Sequence, residues 1–133
     1  MLLRAWKIIV TSLTRFLLNF FAMTDKIVVL STCATQNEAE KIARLLVEER
    51  LAACVSVVAG VRSYYRWKGA VESADECLLV IKTSRESFGP LSAALEKAHS
   101  YELPEVIALP IVEGAANYLS WLHANVGSPD ADT

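Results

Sequence analysis

The apolar residues after position 25 alternate between two spacings, one typical of strands and one typical of helices. Residues 26–31 hold a β-branched run of consecutive apolar positions, as in a strand that is central in a sheet or covered on both faces. Residues 35–38 then match the S/T-x-x-E capping box that begins many helices. These patterns predict a strand followed by a surface helix with one buried stripe. The apolar positions of that stripe are Ala39, Ile42, Ala43, Leu46 and Val47.

A long hairpin is predicted in the middle of the chain. Residues 54–67 have the pattern of an extended strand, Lys68 and Gly69 supply a turn, and residues 76–83 predict the returning strand. A strand of that length would reach roughly 46 Å at about 3.3 Å per residue, against ~17–20 Å for a typical strand. We therefore expect either a bend at Gly60 or a hairpin arm that projects from the domain.

A second strand-and-helix unit is predicted after the hairpin. Ser87 precedes a helical apolar spacing, residues 106–112 predict a fourth strand, and a last helix ends before Gly127. The order β-α-β-β-α-β-α predicts an α+β fold, the ferredoxin-like split βαβ sandwich with right-handed crossovers. In that topology the first strand is central and the fourth lies at an edge, where Pro110 is tolerated.

The first 22 residues differ from the rest of the chain in charge, because they contain Arg4, Lys7 and Arg15 and no acid. Their polar side chains recur every three to four residues, which predicts a basic amphipathic helix. The apolar stretch 8–22 is shorter than the roughly 20 residues of a transmembrane helix. Three interpretations are open: an upstream in-frame start, a membrane-surface or organelle-targeting helix, and a packed structural extension.

The rest of the chain is expected to form one domain, residues 23–127, and a polar tail, residues 128–133. The chain has 13 basic and 15 acidic residues, and removing the three N-terminal charges leaves 10 basic and 15 acidic ones, a net charge of −5. Such an acidic body carries no broad electrostatic footprint for nucleic acid. We therefore expect no nucleic-acid partner, and membrane contact only if residues 1–22 are retained.

The cysteines and the missing catalytic motifs narrow the function further. Cys33, Cys54 and Cys77 are widely spaced and form no C-x-x-C pair, so neither a zinc knuckle nor a redox motif is indicated. Unpaired cysteines in apolar stretches are typical of a reduced, cytoplasmic protein. The sequence has no G-x-S-x-G, P-loop, H-E-x-x-H or G-x-G-x-x-G motif. We expect no enzymatic activity.

Five segments of the chain resemble the CutA family, the divalent-cation tolerance proteins, in order and spacing. They are LAAC at 51–54, YYRWKG at 64–69, KT at 82–83, HSYELPE at 99–105 and YLSW at 118–121. The resemblance implies a ferredoxin-like fold, a tight homotrimer built through strands and the hairpin arm, and an association with divalent metals, notably copper. It also implies kinship with the trimeric PII signalling proteins, which bind small ligands in clefts between subunits.

The resemblance further implies a metal site where the first strand and the second helix end. His99 is the imidazole candidate, and Ser31 and Cys33 are the strand candidates, since residues two apart lie on the same side of a strand. Some family members carry a cysteine at the position of Ser31 and a second histidine at that of Ala98, and the family usually has proline at that of Ser100. The expected cofactor is a divalent metal ion, with Cu²⁺ as the leading candidate.

A ligand cleft or subunit interface is expected around the aromatic arm and nearby polar positions. Three functions follow: a cytoplasmic trimeric copper-binding or metal tolerance protein, a PII-like small-ligand sensor, and a non-catalytic trimer that anchors a membrane-associated partner. The cleft or interface candidates are Cys54, Tyr64, Trp67, Lys82, Tyr101, Glu105 and Trp121.

Overall fold

The computed structural model describes residues 5–7, 9–14 and 24–129. Within residues 24–129 the element order is the predicted β-α-β-β-α-β-α. The elements are β1 (Lys26–Cys33), α1 (Gln36–Glu48), β2 (Cys54–Trp67), β3 (Ala70–Ser84), α2 (Phe88–Ala98), β4 (Ile107–Pro110) and α3 (Ala116–Ala124).

The four strands form one sheet in the order β2-β3-β1-β4, and all neighbours are antiparallel. This is the strand order of the ferredoxin-like sandwich, with β1 in the centre and β4 at an edge, as the sequence predicted. Pro110 lies opposite Ile27 at the end of β4. An edge strand accepts this residue because its outward side needs no ladder hydrogen bond.

One face of the sheet, which we call the covered face, packs against α1 and α2. Alternation along β1 directs Ile27, Val29 and Cys33 to this face, where they are buried. The predicted stripe of α1 covers them, because Ala39, Ile42 and Leu46 are buried there. The same core contains Leu79 and Ile81 from β3 and Leu91 and Leu95 from α2.

The strand register identifies the residues of the opposite face, which we call the open face. Cys54, Lys82, Val28 and Leu109 lie side by side across the four strands, and the next row is Ser56, Val80, Leu30 and Ile107. Apart from Lys82 and Ser56 these side chains are apolar or thiol. The helix α3 approaches this face at one end, where the Nζ of Lys26 lies 3.0 Å from the Nδ1 of His123.

The hairpin has both a bend at Gly60 and a projecting arm, the two features between which its predicted length left a choice. A β-bulge interrupts the register between Val58 and Val61, and Gly60 there adopts a φ of 78°. Beyond the bulge the strands continue as a two-stranded arm to the pair Trp67 and Ala70, closed by Lys68 and Gly69 with φ values of 48° and 82°. Positive φ at both central residues is the backbone of a two-residue type I′ hairpin turn.

Three predicted boundaries were wrong. The returning strand begins at Ala70 rather than at residue 76, because pairing with β2 holds the polar, exposed residues 71–75 extended. The fourth strand is Ile107–Pro110 rather than 106–112. The last helix is Ala116–Ala124, so it ends at Ala124 rather than directly before Gly127.

The N-terminal segment is described in part. Residues 5–7 and 9–14 are helical and exposed, which agrees with the predicted amphipathic helix over those positions. The predictions that rest on Arg4 and Arg15 lie outside the described residues, as does most of the polar tail, residues 130–133. In the part of the chain that the structure describes, no helix is long and apolar enough to cross a bilayer.

Candidate metal site and aromatic cleft

The thiol of the candidate site comes from the last residue of β1. Cys33 continues the alternation of Ile27 and Val29, so its side chain lies on the covered face and is fully buried. Burial, and to a smaller extent the nearby charge of Glu38, raises the pKa of this thiol to about 12. The group is therefore a neutral thiol near pH 7, and a metal ion that binds it must displace its proton.

The imidazole comes from His99, which directly follows α2, and its side chain is completely buried. Because β4 pairs with β1 only as far as Leu30, the carbonyl of Thr32 is left for His99, whose Nε2 lies 2.8 Å away. The backbone N–H of Tyr101 donates to Nδ1 over 3.0 Å. Together these contacts favour the neutral ring with its proton on Nε2. The same Nε2 lies 3.7 Å from the Sγ of Cys33.

A carboxylate that the sequence interpretation did not include completes the group. Thr35 caps α1 by accepting from the N–H of Glu38 over 3.2 Å, as half of the predicted capping box. The Glu38 carboxylate accepts from the backbone N–H of Ser100 at 2.9 Å and from its Oγ at 2.8 Å. It also lies 3.3 Å from the Nδ1 of His99. The predicted capping box was the signal that could have identified Glu38, because it places this residue in the first turn of the helix that follows Cys33.

Cys33, Glu38 and His99 therefore meet at one point, with one ligand atom from each lying within 4.8 Å of the others. Ligands that bind a zinc-like ion at about 2.0–2.3 Å in tetrahedral geometry lie roughly 3.3–3.8 Å apart, so the group must contract by about 1 Å to hold an ion. Thiolate, carboxylate and imidazole are all ordinary ligands of divalent transition metals. Ser31 lies on the same face of β1 but is not part of this group, and its buried Oγ has no hydrogen-bond partner within the described residues.

Four of the predicted cleft residues do line one cleft. It has a volume of about 730 Å³ and lies between the hairpin arm and the loop after α2. Near its base the hydroxyl of Tyr101 donates to the buried carboxylate of Glu76 over 2.8 Å. Burial and this hydrogen bond raise the pKa of Tyr101 above its usual range. The predicted residues on the cleft wall are Tyr64, Trp67, Tyr101 and Glu105.

The other three predicted residues lie elsewhere. Cys54 and Lys82 are direct neighbours on the open face, where the Nζ of Lys82 donates to the Oγ of Ser56 over 2.9 Å. Trp121 lies on α3 and is half exposed, with its ring centroid 5.5 Å from that of Tyr118. The structure thus divides the predicted set among the cleft, the open face and the last helix.

Fold and site together define a ferredoxin-like α+β domain with a Cys-Glu-His group at the end of its central strand. Residues 27–125 match the family model described as CutA1 divalent ion tolerance protein. The chain belongs to this CutA1 family, which confirms the resemblance and the fold that the sequence predicted.

Individual relatives agree with the family assignment. The chain is 48% identical over 100 residues to the divalent-cation tolerance protein CutA of Thermus thermophilus, covering 75% of this chain and 97% of that protein. The solved structure from the same organism matches with a TM-score of 0.76 at 47% identity, over 77% of this chain and 99% of that one. The chain is 46% identical over 96 residues to the chloroplastic protein CutA of Arabidopsis thaliana, covering 72% of this chain and 53% of that protein. It therefore spans nearly all of the bacterial relative and about half of the plant relative.

Proposed function

We propose that this chain is a non-catalytic, divalent-cation-binding homotrimer that serves metal tolerance, with Cys33, Glu38 and His99 as its metal ligands. The observation that carries the proposal is the convergence of three ligand atoms, from the end of β1, the first turn of α1 and the end of α2, within 4.8 Å. The names of the relatives, which describe divalent-cation tolerance proteins, support the same function.

The hydrogen bonds of His99 indicate that a metal ion must compete with contacts that are already made inside the site. The ring of His99 has Cys33 beside Nε2 and Glu38 beside Nδ1, so one ion cannot use the ring and both other ligands without a shift of a side chain. An ion that takes Nδ1 must also replace the hydrogen bond from Tyr101. Copper(II) favours imidazole and oxygen ligands, whereas the Cys33 thiolate suits zinc or copper(I) better. We expect Cu²⁺ to bind with release of protons.

Assembly into a homotrimer is supported by the surfaces that one chain leaves uncovered. The open face exposes Ile107 and Leu109, and the arm exposes Tyr64 and Trp67. Both sheet edges, β2 and β4, have one unpaired side within the described chain. A repeated heterologous contact that closes as a ring would cover an edge and an apolar face in each subunit.

The cleft supports a second candidate function, a PII-like sensor of small ligands. Its size and aromatic wall suit a small molecule. Its charges do not favour a nucleotide, because a phosphate group would face four carboxylates and one guanidinium. The acidic side chains are Glu72, Glu76, Glu102 and Glu105, and the basic one is Arg66. A thermal-shift panel that contains both metals and nucleotides separates the two candidates, since a ligand of the folded state raises the melting temperature.

Calorimetry with Cu²⁺ tests the metal site directly. We expect His99→Ala to lower the affinity at least about tenfold, whereas His123→Ala, the matched loss of the other histidine, should leave it unchanged. Binding of the parent should weaken from about pH 7.5 to about pH 5.5, because protons compete for the imidazole. Equal affinity in the parent and His99→Ala would remove His99 from the site. Undetectable binding in all three proteins would reject the metal function.

The proposed location is the cytoplasm, which rests on three unpaired cysteines. Relatives carry names that place them elsewhere: one is called chloroplastic and another is described as periplasmic. Fractionation of the native source, with thiol labelling of the denatured protein from each fraction, tests this proposal. Recovery of the chain with reduced cysteines in the cytoplasmic fraction is the expected result, and recovery in a membrane-enclosed compartment contradicts it.

A further inference from the structure

The helical residues of the N-terminal segment present bulky apolar side chains that the domain does not cover. Trp6 is 69% exposed, Ile9 62% and Leu13 60%. Every described residue of the segment, 5–7 and 9–14, is exposed. Side chains of this size on one short helix form a surface that needs a partner, because contiguous apolar patches are rarely left in water.

The polar groups of the same helix are arranged for a medium that is poor in water. The Oγ1 of Thr11 donates to the carbonyl of Lys7 over 2.6 Å, and the Oγ1 of Thr14 donates to the carbonyl of Val10 over 2.7 Å. Both hydroxyls are therefore satisfied within the helix and can leave water without losing a hydrogen bond. The ammonium group of Lys7 is the charged group of the described helical residues that must reach water or an anion.

Charge indicates which kind of surface fits. The segment carries Arg4, Lys7 and Arg15 and no acid, whereas the rest of the chain has a net charge of −5. An anionic surface attracts this segment and repels the acidic domain, so contact through the segment also sets the orientation. Basic groups beside Trp, Phe and Leu are the composition of helices that lie in the headgroup region of a bilayer.

The share of apolar positions in residues 1–22 favours a bilayer over a second copy of this segment. The polar side chains there are Arg4, Lys7, Thr11, Ser12, Thr14, Arg15 and Asn19, and every other position is apolar. A helix bundle buries a seam of two to three positions in seven, which is fewer than this composition offers. The acyl-chain boundary of a bilayer covers a broad face at once.

We propose that residues 1–22 dock this chain on the surface of an anionic membrane, with the apolar side chains at the acyl-chain boundary and the basic side chains among lipid phosphates. The segment lies on the surface and does not span the bilayer. The docking uses no residue of the proposed metal group.

Flotation of the full chain with lipid vesicles tests the docking. We expect the protein to float with vesicles of phosphatidylcholine and phosphatidylglycerol, and to remain in the aqueous fraction with phosphatidylcholine alone. Lys7→Glu should weaken the binding about tenfold or more, because it reverses one charge at the surface. Lys97→Glu is the matched control, since it makes the same change of charge at an exposed position of the domain and should bind like the parent.

Two results of the flotation experiment would overturn the proposal. The first is a parent protein that does not float with the anionic vesicles, and the second is an equal loss of flotation in Lys7→Glu and Lys97→Glu, which would show attraction by net charge alone. A variant with Trp6→Ala and Leu13→Ala separates the apolar contribution: it should lose flotation while its melting temperature stays that of the parent. If its melting temperature falls instead, the helix packs against protein and the proposal is wrong.

Discussion

The two faces of the sheet differ in how completely one chain covers them. On the covered face Leu79 and Ile81 are 0% exposed, because α1 and α2 lie over them. On the open face Ile107 is 49% exposed and Leu109 47%. Both faces are mostly apolar, with Lys82 and Ser56 as polar exceptions on the open face, so the difference lies mainly in the helices that cover one face rather than in the composition of the strands. One chain is therefore expected to complete its core by itself and to need other copies for the open face.

The two candidate sites lie where the sheet meets the segments around it. Cys33 ends the central strand on the covered face, and His99 reaches it because β4 stops short and leaves the carbonyl of Thr32 unpaired by a strand. The aromatic cleft lies between the arm and the loop after α2. The proposed metal group is therefore formed within one chain, whereas the cleft lies along an arm that we expect to contact other copies on assembly.

The largest effect is expected on the covered face. Leu79→Ala should lower the free energy of unfolding by about 3 kcal/mol, within the range of about 2–5 kcal/mol for leucines that leave a cavity in a core. The measurement is urea denaturation followed by circular dichroism. Leu109→Ala is the matched control. It should lower the free energy of unfolding of the chain by less than Leu79→Ala does, and it should weaken assembly more. If both variants unfold alike, the two faces do not differ as described.

The next effect concerns the arm. Trp67→Ala should weaken assembly by ~2 kcal/mol or more, as expected for an aromatic side chain at the centre of an interface. Native mass spectrometry across a dilution series measures it, and the same experiment tests whether the parent is a trimer. Trp6→Ala makes the same substitution outside the domain and should assemble like the parent. A monomeric parent at micromolar concentration would contradict both the trimer and the role of Trp67 at its interface.

A smaller effect is expected from alkaline pH. The folded pKa of Cys33 is about 12 against an unfolded value of 9.0, so above about pH 9 the unfolded chain loses this proton first. Stability is therefore fully present below about pH 9 and falls as the pH rises toward about 12. The raised pKa of Tyr101 adds a change of the same sign. Urea midpoints of the metal-free protein should decline less steeply with pH in Cys33→Ala than in the parent, and parallel curves would refute the assignment.

The smallest effect is expected from removing residues 1–22. The described part of this segment is fully exposed, so the shortened chain should keep its melting temperature and its oligomeric state, within about 0.5 kcal/mol of unfolding free energy. Differential scanning calorimetry and light scattering check this. Insoluble or differently assembled protein would show that the segment packs against the domain, and would also contradict docking on a membrane.

Sequence periodicity by itself determined the element types, their order and the central position of the first strand. Helical spacing after Thr35 and Ser87 marks α1 and α2, because a buried stripe must recur every three to four residues. The residues Lys68 and Gly69 marked the turn. Cys33 and His99 were found as partners through the family resemblance, and the structure brings them together.

Tertiary structure alone decided the remaining features. The outer part of β3 has a polar sequence and is a strand only because β2 pairs with it. Glu38 has the sequence of a helix cap, yet Ser100, far away along the chain, holds its carboxylate beside His99. Local spacing reports which residues share a face of one element. Which faces of different elements meet depends on contacts between distant residues, and those contacts are made only when the sheet and its helices pack together.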